Sequence, residues 1–221
     1  MGATGTMPRM PKQTKHATHS RRAIAAHAAR LMAEDGITEF GPAKRKAARQ
    51  LGFSESDALP SNDEVEVELR AYHQLFQPDE QQARLTALRS IAYDLMSPFA
   101  PYQPCLTGPA WNGTAVRDSA ITIDLFADSV KEVEVRLLDA DIRYRVLEWP
   151  HFNRAVERKV PVLTFLHEGH VVNLVVYGVN DRRGALLAGP DGVAPRGDLA
   201  AMRRLIDHAN ATLRAATETG P

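Results

Sequence analysis

A single cysteine, Cys105, stands in 221 residues. That excludes an intrachain disulfide framework and any zinc site built on several thiolates. A surplus of charge is equally missing, because 27 Lys and Arg balance 27 Asp and Glu. No overall basic field therefore draws the chain to nucleic acid or anionic lipid, and any such role must be local. No run approaches the roughly 18 apolar residues of a membrane span, and the first residues lack the apolar stretch of a secretory signal. The expectation is a cytoplasmic protein with no membrane partner. What is present is ordinary for a folded chain: 44% hydrophobic and 24% charged residues supply the core of one large or two small domains.

Residues 1–19 hold Gly, Thr, Pro, Lys and His with few apolar side chains and read as a disordered tail. Beyond them Ile24, Ala28, Leu31 and Met32 recur at helical spacing before Gly36, which predicts a helix over 21–34. A second, short helix is expected over 43–51, between Pro42 and Gly52. A third opens at Asn62 or Asp63 and runs to Phe76. Pro78 and Asp79 start a fourth, reaching Met96 with Leu85, Leu88, Ile91 and Leu95 on its inner face. A proline-rich linker over 98–104 follows, and the period then becomes alternating or continuously apolar, which marks a domain boundary near residue 100.

The later segments predict strands over 105–107, 120–126, 142–147, 160–166 and 171–177, with helices over 129–140 and 198–215. Glu168-Gly169 reads as a hairpin turn and 178–196 as a loop. The predicted fold class is α+β: a helical bundle over residues 20–98, followed over 99–221 by a small mixed-sheet α/β domain.

The chemistry-bearing stretch is Leu106-Thr-Gly-Pro-Ala-Trp-Asn-Gly-Thr-Ala-Val-Arg-Asp-Ser-Ala-Ile-Thr-Ile-Asp-Leu-Phe-Ala-Asp128. It resembles the signature of the polymerase-β-like nucleotidyltransferases: a strand ending in Gly-Ser, a short helix with Gly-Thr-Ala, and an Asp-Ser-Asp-hydrophobic-Asp strand. Gly108, Gly113, Thr114, Ala115, Asp118 and Ser119 match that pattern. The whole arrangement, with Leu-Phe-Ala-Asp128-Ser, also looks like a proteobacterial group described as nucleotidyltransferases. The resemblance implies a nucleotidyltransferase-like domain, magnesium as cofactor, and nucleotide contacts at Gly108, Gly113, Thr114, Asp118, Ser119 and Asn173.

Departures from the pattern are as informative. Pro109 replaces the family's Ser, and the two metal-binding aspartates fall on Ala120 and Thr122, with Asn173 where the third carboxylate is expected. In a strand, residues 120, 122 and 124 share one face, so the site offers a single carboxylate, Asp124, as catalytic group or metal ligand. Two-metal nucleotidyl transfer needs bridging carboxylates. The expectation is thus a catalytically degenerate pseudoenzyme that binds a nucleotide or a protein or RNA partner. The alternative is an active magnesium-dependent transferase working through Asp124.

A second local feature is the basic turn Lys44, Arg45, Lys46 and Arg49, in a segment where residues 1–60 carry 10 basic and 5 acidic side chains. Such a cluster is a candidate nucleic-acid contact. The first two helices also resemble the helix-turn-helix of TetR-type repressors. Against DNA reading, the segment 54–66, where a recognition helix belongs, contains Pro60, Glu55, Asp57, Asp63, Glu64 and Glu66, whose carboxylates repel phosphates.

Overall fold

The computed structural model describes residues 12–53, 59–153, 155–187 and 194–218. The chain divides into two compact units, residues 1–75 and 76–221.

The first unit is helical. Helix α1 spans Lys12–Asp35, α2 Phe40–Gln50 and α3 Asn62–Phe76. Residues 12–19, expected in the tail, are the start of α1, and residues 1–11 lie outside the described residues. Small apolar side chains let α1 and α2 approach closely: Ala25, Ala28 and Ala29 of α1 and Ala43, Ala47 and Ala48 of α2 are all buried. Polar bonds fasten α3 to α1, with Arg21 to Glu64 at 2.7 Å and the Tyr72 hydroxyl donating to Glu34 at 2.6 Å. Ser61, rather than Asn62 or Asp63, caps α3. Its hydroxyl accepts from Glu64 N at 3.1 Å while the Glu64 carboxylate accepts from Ser61 N at 2.6 Å, a reciprocal capping box.

The second unit is a six-stranded mixed sheet with helices. Its elements are α4 (Pro78–Met96), β1 (Cys105–Thr107), α5 (Pro109–Asn112), β2 (Ile121–Phe126), α6 (Val130–Asp139), β3 (Arg145–Pro150), β4 (Lys159–His167), β5 (His170–Tyr177), α7 (Arg182–Ala185), β6 (Arg196–Asp198) and α8 (Leu199–Glu218). The strand order is β3-β4-β5-β2-β1-β6. The β2–β5 pair is parallel and every other neighbouring pair antiparallel.

Helix α4 belongs with the sheet. Leu85, Leu88, Ala92 and Leu95 share one core with Ile121, Ile123 and Leu125 of β2, Leu174 of β5 and Met202 of α8. The expected boundary near residue 100 therefore lies instead between Leu75 and Phe76. Residues 98–104 are no free linker either. Ser97–Tyr102 forms a 3-10 helix whose Phe99 is buried in that core.

Other differences are local. β3 begins at Arg145 rather than Ile142, and the expected loop 178–196 contains α7 and the start of β6. Strand β6 was invisible because it is three residues long and includes Gly197. That glycine is required by packing, since a Cβ there would overlap the Trp111 ring. The hairpin turn at Glu168-Gly169 is formed as read, both residues having positive φ, 50° and 80°.

Candidate functional site

Directly paired residues of neighbouring strands point to the same face of a sheet. Thr122 lies opposite Thr107 of β1 and Asn173 of β5, and Asn173 lies opposite Thr164 of β4. Ile121, Ile123 and Leu125 fill the helix-covered side. Thr122, Asp124 and Asn173 thus share the other face, and Asn173 stands across from Thr122, where the resemblance expects the third carboxylate. The Thr164 hydroxyl donates to Asn173 Oδ1 at 2.9 Å. The row is uncharged where two carboxylates were expected.

Asp124 is 1% exposed, and its carboxylate accepts from Nε of Arg196, the first residue of β6. Arg196 also donates to the Ala185 carbonyl at 3.0 Å and lies over the Phe152 ring, 4.6 Å from its centroid. Burial pushes the Asp124 carboxyl above its ordinary value, while the guanidinium pulls it back. Burial, followed by the Asp124 charge, raises the neighbouring Cys105 thiol to about 11, which leaves it protonated and unreactive near neutrality.

The donor set does not suit magnesium. One carboxylate already bound to a guanidinium, beside a threonine and an asparagine, lacks the charge and the bridging oxygens that a metal pair takes. Among the described residues no three His, Cys, Asp or Glu side chains gather as metal ligands.

The glycine loop is held from the helical side. Gly108 and Gly113 bound α5 with φ of 68° and 85°, conformations that favour glycine. From α4, Gln81 Nε2 donates to the Gly113 carbonyl at 2.9 Å, and Arg89 donates to the Ala110 and Trp111 carbonyls at 2.9 and 3.1 Å. The Thr114 hydroxyl donates to Asn112 Oδ1 at 2.6 Å, and Ser119 Oγ accepts from Val116 N at 2.9 Å. Both hydroxyls thus brace the loop, and Asp118 is exposed.

The basic turn of α2 is divided. Lys44 Nζ donates to the Pro60 carbonyl at 3.0 Å and Asn62 Oδ1 at 2.8 Å, and Lys46 pairs with Asp35 at 2.7 Å. Arg45 and Arg49 are exposed. Residues 54–58, part of the segment compared with a recognition helix, lie outside the described residues.

Sequence reading missed a polar cluster at the Phe126–Tyr177 end of the same face. Asp181 accepts from Gly178 N at 3.1 Å and from Arg158, and stands 3.4 Å from Nε2 of the buried His151. His151 Nδ1 accepts from Asn153 N at 3.0 Å, which leaves Nε2 as the ring nitrogen turned toward Asp181. His151, Phe152 and Tyr177 pack ring against ring at 4.4–5.3 Å. The signal was scattered over three segments, and Arg196 sat in what reads as loop. No protein-family model matches the chain, and no curated protein matches it.

Proposed function

We infer that this protein is a nucleotidyltransferase-like protein that has lost transferase chemistry and binds a nucleotide or a macromolecular partner. One observation carries the reading: the strand position of the catalytic carboxylates holds Ala120, Thr122 and Asp124, and Asp124 is buried against Arg196. A carboxylate neutralised in this way is a structural ion pair, whereas a metal ligand must present free lone pairs to the ion. Thr107, Thr122 and Asn173 leave a neutral hydrogen-bonding row suited to a polar ligand.

The test has two parts. Nucleoside triphosphates titrated into the full chain by calorimetry are expected to bind equally with and without magnesium. Incubation with labelled triphosphate and magnesium or manganese is expected to transfer no label to protein, RNA or small acceptors. Metal-dependent transfer abolished by Asp124→Asn would establish the active alternative instead.

A further inference from the structure

A cleft of about 650 Å³ opens on the second unit away from the Asp124 pair, between residues 141–145 and the β4–β5 hairpin. Its size lies within the roughly 300–1,000 Å³ of small-molecule sites. Ile142, Phe165, Leu166 and Val171 form its apolar lining. Leu166 is 73% and Val171 42% exposed and they pair across β4 and β5, so the cleft keeps an apolar edge open to solvent.

Guanidiniums outnumber carboxylates in the lining of this cleft. Arg143 and Arg145, two residues apart, both line it, and the described ion pairs include neither of them. Arg145 lies opposite Thr164, the residue that donates to Asn173, so one guanidinium continues the polar row of the sheet face. The opposing carboxylate in the lining is Asp141, against two guanidiniums. Tyr144 contributes its ring, and its hydroxyl is engaged by Glu134.

We propose that this cleft binds an organic anion with an apolar body, the Arg143 and Arg145 guanidiniums taking the acidic group and Leu166 and Val171 covering the hydrocarbon or aromatic part. Guanidiniums hold carboxylate, sulfonate or phosphate oxygens through paired, charge-assisted hydrogen bonds. The exposed Leu166 and Val171 add affinity by leaving water. The two halves explain each other: cations alone fit any anion, but cations beside an uncovered apolar floor select one that is amphipathic. The cleft adjoins the polar row of the nucleotide reading, but none of its lining residues is one that carries that reading, so the two are tested apart.

The probe is 8-anilinonaphthalene-1-sulfonate, an aromatic sulfonate, added to the full chain and followed by fluorescence and by amide shifts in ¹⁵N spectra. Saturable one-to-one binding is expected, with the largest shifts at Ile142, Leu166 and Val171. Arg143→Gln with Arg145→Gln should weaken it about tenfold, Leu166→Gln should weaken it too, and Arg183→Gln should leave it unchanged. Unsaturable binding, shifts centred elsewhere, or affinity untouched by the arginine pair would overturn the proposal. Inorganic phosphate binding as tightly as the probe would overturn its apolar half. All substituted side chains are on the surface, so melting curves should match the parent; if the arginine pair fails to fold, the shift map and Leu166→Gln decide.

Discussion

At the scale of single residues, the buried Asp124–Arg196 pair decides how this face behaves. Removing one partner strands a charge, whereas replacing both by apolar groups does not. Arg196→Met is therefore expected to lower unfolding free energy by about 3–5 kcal/mol, and the double variant Asp124→Leu/Arg196→Met to recover most of it, as denaturant titration would register. The pH dependence has a definite sign. Without the guanidinium, burial alone acts on Asp124 and raises its folded-state value further above the unfolded one of about 3.9. The folded state then holds its proton more tightly, so the Arg196→Met deficit is smallest below about pH 4 and grows as pH rises. Equal deficits at pH 4 and pH 8 would refute it. Cys105 offers a second check on the same pocket. With its thiol pushed up to about 11 and its side chain buried, it should resist a disulfide reagent at pH 8 in the native protein and react at once in denaturant.

At the scale of elements, α4 is the piece whose allegiance sequence misjudged. Its stripe of Leu85, Leu88 and Leu95 was plain from spacing, but spacing names a buried face without naming what buries it. The proline cluster after it looked like a boundary, yet Phe99 within that cluster is anchored in the sheet core. A fragment of residues 76–221 is accordingly expected to unfold cooperatively in a denaturant scan, and a fragment of residues 99–221, which lacks the Leu85, Leu88, Ala92 and Leu95 contribution of α4 to the core, to bind hydrophobic dye without a sigmoidal transition. Strands rich in Ile, Val and Leu were legible because their apolar alternation is local, as was the placing of Thr122, Asp124 and Asn173 on one face. What escaped was non-local: the three-residue β6 that delivers Arg196, the clamp of Gln81 and Arg89 on the glycine loop, and the His151–Asp181 contact. Each joins segments far apart in the chain, and no periodicity announces such a meeting.

At the scale of the whole molecule, charge balance governs what a polyanion meets. The chain has no net charge, so attraction to nucleic acid rests on local cations, and the basic turn offers fewer than its sequence promises. Lys44 and Lys46 are held by Pro60, Asn62 and Asp35, while Arg45 and Arg49 face solvent. Counterion release scales with the phosphates neutralised, at about 0.9 per contact on duplex DNA. Two arginines therefore predict a slope of log affinity against log salt near about −1.8, where four free cations would give about −3.6. Such binding is weak, indifferent to sequence and lost on moving from low to physiological salt. Filter binding of random and defined duplexes across a salt series measures the slope directly. Arg45→Gln with Arg49→Gln should abolish what binding there is, and Lys46→Gln should leave it nearly unchanged. A steeper slope, or a footprint on one sequence that survives physiological salt, would instead favour the repressor-like reading of the first two helices, because base contacts persist where counterion release no longer helps.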